Sequence, residues 1–465
     1  MNSKSKLNKV AIFNMLSLVV LNGLAFFTMP IFTRLLGTEN YGYYTEYASY
    51  LSILTVLVGF QSAGAIAPAS VVYEGKERDA CFSNIMMAAI ASMIVIGIPL
   101  FACLVPFSNF TGMPKALIVV LFVHAAGQYF INFATGKFSY DKKPQVTFVI
   151  SLTVSVVSIG LSLLFLYFLP ETVAKYEGYI LGHAIPSILI GFVMLAYFLL
   201  KGRSFAQKRY WKFALSLCLP LILHQFANVL LHQCDKIMLK QMTTESLVGI
   251  YGFSVTFSNI ISLVWSALNT TWIPFYYDDA KMGNFDALKI KTRNYTTLYT
   301  CLNLGFIMAM PEVVKLFSGS DFWDGITVIP ILSFGLYFVF LYSFPVNFEF
   351  YHQKTKIIAI GTVMASVLNI VLNAIFIPMF GMVGAAVATA LSYIILWLFH
   401  LILSNFVIKE EYHFKNFNFT GYILVMLAGM LLFYLIKDLW YIRWTLFAGL
   451  AIYLLMRIKK QRSIF

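Results

Sequence analysis

Charge is what this chain of 465 residues has least of: only 11% of its residues are Asp, Glu, Lys or Arg, and the acidic ones number 20. Soluble domains carry about a quarter charged residues, so the composition excludes an ordinary water-soluble fold. Cysteine is equally sparse. Cys81, Cys103, Cys218, Cys234 and Cys301 are odd in number and scattered, which fits neither a disulfide framework nor a metal-ligand pattern. The phosphate cradle Gly-x-x-x-x-Gly-Lys-Ser/Thr is missing, so direct use of ATP by this chain is not expected. Connections between apolar stretches stay under about 25 residues, leaving no room for an inserted soluble enzyme domain. No Ala-x-Ala-like site follows the first apolar stretch, so a cleavable signal is not expected.

What is abundant is apolar side chain, at 60% of residues with a mean hydropathy of +0.79. Runs of about 20 apolar residues, each long enough to cross a hydrocarbon layer, fall near 10–32, 43–67, 84–106, 115–135, 146–169, 178–200 and 213–234. Seven more fall near 248–272, 296–317, 326–348, 357–378, 384–407, 419–436 and 440–456. The expectation is an all-α integral membrane protein with about fourteen transmembrane helices. Threading them alternately through a membrane puts 25 of the 33 Lys and Arg on one side. That bias marks the cytoplasmic face and places both termini there. The net charge of +13 is thereby explained by topology, and no nucleic-acid partner is expected.

The chain repeats itself. Leu36-Gly37-Thr38-Glu39-Asn40-Tyr41-Gly42 follows the first apolar stretch, and Met242-Thr243-Thr244-Glu245-Ser246-Leu247-Val248-Gly249 follows the seventh, so Glu39 and Glu245 lie 206 residues apart. Tyr167-Phe168-Leu169-Pro170 and Ile375-Phe376-Ile377-Pro378 close the fifth and eleventh, and their prolines lie 208 apart. The repeat implies two pseudo-symmetric six-helix lobes, 1–205 and 206–410, followed by two extra helices and a basic tail, 411–465. Paired lobes place a substrate site between them in transporters.

Polar residues inside apolar stretches mark candidate sites, because such groups are costly at bilayer depth. The seventh stretch carries His224, Gln225, Asn228, His232, Asp235 and Lys236 at steps of three and four, which suits one helical stripe. Asp235 and Lys236 are expected at its outer mouth. The first stretch offers only Asn14, Ser17, Asn22 and Thr28. Further cavity candidates are Gln61, Gln128, Asn132, Asn259, Asn269, Asn347, Asn369 and Asn373. Arg34, with Lys236 second, suits phosphate on the outer side, and each also reads as a snorkelling interface anchor; Lys137, Lys142 and Lys143 lie at the other side, where they also read as plain positive-inside residues. Asp235 and Glu349 are the acidic candidates for ion coupling, with no metal or organic cofactor implied beyond an ion gradient or membrane potential. The aromatic load of 44 Phe, 27 Tyr and 7 Trp is expected mostly at lipid and interface, with a minority available to stack on sugars.

Thr33-Arg34-Leu35-Leu36-Gly37-Thr38-Glu39-Asn40-Tyr41-Gly42 resembles the segment after the first helix of polysaccharide-biosynthesis flippases. Asp235-Lys236-Ile237-Met238-Leu239 with Val248-Gly249-Ile250-Tyr251 resembles the segment after their seventh. Leu368-Asn369-Ile370-Val371-Leu372-Asn373, leading through Pro378 to Gly381-Met382-Val383-Gly384-Ala385-Ala386-Val387-Ala388-Thr389, resembles their eleventh and twelfth helices. This is the O-antigen and capsule repeat-unit family of the multidrug/oligosaccharidyl-lipid/polysaccharide exporter superfamily. The resemblance implies a non-enzymatic flippase moving undecaprenyl-pyrophosphate-linked oligosaccharide across a bacterial inner membrane by alternating access. Its implied partners are the lipid-linked substrate, membrane lipids, and glycan polymerase and chain-length proteins. Competing readings are a drug or lipid II exporter of the same superfamily and a membrane-embedded O-antigen polymerase or ligase, the latter disfavoured by short outer loops.

Overall fold

The computed structural model describes residues 3–170, 172–406, 408, 411–415 and 417–461. The side chains of Asn14, Ser17 and Asn22, and of the basic residues Lys4, Lys6, Lys9, Lys409 and Arg462, lie outside the described set. Among the described residues there is no strand, as expected where lipid offers the backbone no hydrogen bonds and a helix satisfies its own.

Nine helices among the described residues are long and apolar enough to cross a membrane, and two bent pairs raise the number to eleven. Helix α1 (Ser3–Gly59) and helix α12 (Thr355–Phe406) are continuous by hydrogen bonding yet contain a non-helical residue each, Gly37 (φ 67°, ψ 176°) and Gly381 (φ 56°, ψ −132°). These glycines reverse the chain. On a straight helix Asn369 and Ser392 would lie about 35 Å apart, but Asn369 Nδ2 donates to Ser392 Oγ at 3.2 Å. Likewise Phe32 and Tyr44 each place a ring 4.6 Å from that of Tyr179. Both helices are therefore hairpins of two arms. The first arm of α12 ends at Phe380, and its second begins at Met382.

The repeated segments thus prove to be chain reversals. Thr38 and Glu39 open the second arm of α1, while Thr244 caps α9 (Glu245–Met282), its side chain accepting from the Leu247 amide. An acidic residue one position on favours a helix N-terminus. The expected loop Leu36–Gly42 is replaced by a turn of one glycine, because φ > 0 with extended ψ is open to glycine alone.

The chain divides into two compact units, Met1–Gln233 and Cys234–Phe465. The first holds α1, α2 (Ile66–Val72), α3 (Gly75–Ala102), α4 (Leu104–Thr111), α5 (Lys115–Tyr140), α6 (Pro144–Phe168), α7 (Lys175–Gly202) and most of α8 (Lys208–Met242). Small residues bring α7 against α5 and α6: a Cβ on Gly191 would come 2.3 Å from the Gly127 carbonyl oxygen, and one on Gly182 would come 2.3 Å from Ser162 Oγ. Phe82, Phe133, Phe198 and Tyr129 fill the space between.

The second unit holds α9, α10 (Phe285–Phe317), α11 (Ile329–Tyr351), α12, α13 (Thr420–Ile436) and α14 (Trp440–Gln461). The small-residue segment after Gly381 packs the two arms of α12 together, since a Cβ on Gly384 would meet the Phe376 carbonyl oxygen at 2.1 Å. Helices α13 and α14 both lie on α10. Arg443 of α14 donates to the Met308 carbonyl at 2.8 Å and to both carboxylate oxygens of Glu312, and Arg457 reaches Asn294 at 3.0 Å. The aromatic residues depart from expectation here: Tyr251, Tyr295, Tyr299, Tyr337, Phe340, Phe344 and Phe348 have no exposed surface. They form the core of this unit, their rings packed mainly edge-to-face, rather than a belt facing lipid.

Candidate functional site

Helix α8 does not present its polar residues as one uniform stripe. His224, Gln225 and Asn228 are half-buried, His232 is exposed, and Asp235 and Lys236 are buried at 3% and 7% exposure. Ala227, Leu231, Cys234 and Leu239 form the covered edge of α8, and Asp235 falls beside it. Asp235 and Lys236, expected at the outer mouth of the stretch, are thus covered by neighbouring side chains rather than open to solvent.

Asp235 sits in a polar cluster of the second unit. Tyr251 of α9 donates to its Oδ2 at 2.6 Å, and the Lys236 amide donates to its Oδ1 at 2.8 Å. The adjacent Cys234 Sγ donates to Asn369 Oδ1 at 3.0 Å, the same oxygen that accepts from Asn373 at 2.9 Å. Asn369 donates in turn to Ser392 and to Thr389 at 3.4 Å. The cluster ties α8, α9 and both arms of α12 together. Asn369 and Asn373, expected as cavity groups, are 0% exposed within it. Glu349, the other acidic candidate, is also fully buried, against His400.

The exposed polar face lies elsewhere in this unit. Thr256, Asn259, Ser266 and Thr270 of α9 are exposed, and their spacing of three to seven keeps them on one side of the helix. Asn269 is half-buried, and its Oδ1 has no partner; Asn347 is buried. In the first unit Arg34 is exposed on the last turn before Gly37. Asn132 is exposed on α5 and accepts from Gln128 at 3.0 Å, while Gln61 adopts a left-handed backbone at the end of the α1 hairpin. Exposed amides and hydroxyls along membrane-crossing helices belong against water or a polar ligand, because hydrocarbon would strand them. Lys137, in contrast, is consumed internally: its Nζ lies 2.5 Å from Asp141, on which Arg78 also bears at 3.7 Å.

Sequence reading passed over several ionisable groups that the fold covers wholly or in part. Glu46 on α1 has no exposed surface. Tyr47 pairs with His124 Nδ1 at 3.1 Å, and His183 Nδ1 lies 2.9 Å from Ser162 Oγ. All four sit inside apolar stretches, which was the available signal.

A family model described as "Polysaccharide biosynthesis protein" matches residues 7–277, more than half of the chain. The chain belongs to the polysaccharide biosynthesis protein family. It is 24% identical over 367 residues to "Lsg locus putative protein 1" of Haemophilus influenzae, covering 74% of this chain and 85% of that one. It is 23% identical over 474 residues to an uncharacterized membrane protein of Methanocaldococcus jannaschii, covering 94% and 91%. Among solved structures, the inward closed conformation of the lipid II flippase MurJ superposes with a TM-score of 0.71 at 17% identity, covering 96% of this chain and 100% of that one. An inward-facing multidrug resistance MATE transporter superposes at 0.62 and 14% identity, covering 84% and 97%. The fold is that of these two proteins, and the chain is a multi-pass membrane protein.

Proposed function

We propose that the protein carries polyprenyl-pyrophosphate-linked oligosaccharide repeat units from the cytoplasmic to the outer leaflet of a bacterial inner membrane, with both termini cytoplasmic. The observation that supports this most is the family match, read together with the exposed amide and hydroxyl face of α9. Sugar hydroxyls exchange hydrogen bonds with such groups, and hiding a charged headgroup from hydrocarbon removes a large desolvation barrier. In this reading Arg34 contacts the pyrophosphate, and His224, Gln225, Asn228 and His232 line the path. Lys236, being buried, acts through its neighbours rather than by direct contact. Ion coupling is assigned to Asp235 and Glu349. The membrane lipids hold the polyprenyl tail, and a glycan polymerase with its chain-length protein receives the product.

The alternative cargo is lipid II or a drug, supported by the fold likeness to MurJ and MATE transporters. Deleting the gene separates the two. The first reading expects loss of surface glycan and accumulation of lipid-linked repeat units inside the cell, both reversed by the wild-type chain. Unchanged surface glycan, with accumulated lipid II or altered drug sensitivity, overturns it.

A further inference from the structure

Glu349, two residues from the end of α11, and His400, on the second arm of α12, are both 0% exposed. His400 Nδ1 lies 2.8 Å from each carboxylate oxygen, and Ser404 Oγ donates to Oε1 at 3.2 Å. Among the described residues no Lys or Arg lies within ion-pair distance of Glu349. The titratable groups facing the pair are Tyr342 of α11, whose ring lies 5.0 Å from that of His400, and Tyr412 of the segment after α12. His352 follows on α11, packed on Phe348 and 5.7 Å from His413. The first arm of α12 contributes Gly361 and Thr362, which carry no charge.

The second ring nitrogen of His400 is the informative atom. Nε2 is buried and has no hydrogen-bond partner, and it abuts Gly361, where a Cβ would come within 2.3 Å of it. A clamp built only to join α11 to α12 would satisfy both nitrogens, because an orphaned buried polar group is costly.

With Nδ1–H donated to the carboxylate and Nε2 bare, the pair carries one negative charge. Transfer of a proton from hydronium to Nε2 breaks one O–H bond, forms one N–H bond, releases water and leaves an imidazolium carboxylate of zero net charge. Burying an uncompensated charge costs several kcal/mol, so the enclosed arrangement suits the loaded form, and the empty form needs water beside it.

The geometry points to a proton-binding site at Glu349 and His400, loaded and emptied through His400 Nε2 when the first arm of α12 moves away at Gly361. This rests on the transporter reading and supplies it with a coupling ion.

The test uses the full-length protein in liposomes containing a trapped pH dye, with a polyprenyl pyrophosphate bearing one acetylhexosamine as the probe. A proton gradient should accelerate probe translocation, and Glu349→Gln and His400→Gln should each reduce that acceleration roughly tenfold. Acceleration in Glu349→Gln within about twofold of wild type overturns the proposal. A second measurement needs no transport: magnetic resonance of ring-labelled histidine in the solubilised protein, with the His400 signal assigned by its loss in His400→Gln. Removing the facing carboxylate by Glu349→Gln should lower the proton affinity of His400 at least about tenfold, and an unchanged titration overturns the site. If wild type moves no probe at all, the transport reading falls and the histidine titration alone decides the proton site.

Discussion

Arg443 of α14 grips Glu312 of α10 with both prongs of its guanidinium while only 2% of the arginine side chain is exposed. This places the C-terminal helices in the body of the second unit. Glu312→Gln should lower stability by roughly 1–3 kcal/mol, since the guanidinium loses its counter-charge in a dry setting. Arg443→Met should cost less, because an apolar chain of similar length fills the space and leaves a carboxylate that is one-third exposed. Thermal unfolding followed by a thiol dye reads both, as Cys81, Cys218, Cys234 and Cys301 are buried until the fold opens. Equal stability of Glu312→Gln and wild type would leave the pair without structural weight.

The helical architecture was legible because 3.6-residue helices in lipid need only length and hydropathy, and both are read directly from apolar runs. The position of the repeat was legible too, since the same reversal chemistry recurs at Thr38-Glu39 and Thr244-Glu245. The form of the reversals was not. Nothing in Gly37 or Gly381 taken singly says that the turn is one residue long; that depends on close packing such as Gly384 against Phe376. The partners of Asp235 and Glu349 were hidden for a related reason. Tyr251 and His400 lie 16 and 51 residues away, and tertiary packing alone selects which polar groups of different helices meet.

Gly37→Ala and Gly381→Ala should each destabilise by about 1–3 kcal/mol, from backbone strain alone. A Cβ at either position meets nothing within 4 Å, so clash is not the cause. Gly449→Ala on α14, where a Cβ also meets nothing within 4 Å, should be neutral or stabilising by up to about 1 kcal/mol. The same thiol-dye melting curves compare the three, and indifference at both turns would contradict the glycine-only geometry.

His413, in the segment between α12 and α13, pairs through Nδ1 with the Tyr276 hydroxyl at 2.9 Å. Burial, with His352 nearby, lowers its pKa to about 4. The unfolded chain therefore binds this proton at higher pH than the folded one does. The stabilisation is complete above the ordinary histidine pKa of about 6.5 and is lost as pH falls from there toward 4. His413→Asn should flatten the melting temperature across that window, whereas an unaltered slope would assign the acid sensitivity to other groups.

Orientation is open to a direct test. Reporters fused near Lys208 should read as cytoplasmic and reporters near Asn109 and Ser320 as external, following the charge bias of 25 basic residues on one side. An external signal at Lys208 would invert the proposed direction of transport.

Hydration should separate two kinds of exposed surface that look alike in the fold. Asn259, Ser266 and Thr270 on α9 and His232 on α8 are exposed polar positions, whereas Ile94, Val156 and Leu189 are 58%, 51% and 62% exposed and apolar. Single cysteines at the first set, in a background lacking the native five, should react with a water-soluble maleimide in intact membranes. Those at the second set should stay inert there and react only after detergent extraction, because lipid excludes the reagent while stranding a polar face would be costly. Half-buried Gln225 and Asn228 should fall between. Adding lipid-linked saccharide should protect the polar positions and leave the apolar ones unchanged. Equal reactivity of both sets would show that the α9 face is not the water-filled path, and the headgroup would then have to pass elsewhere.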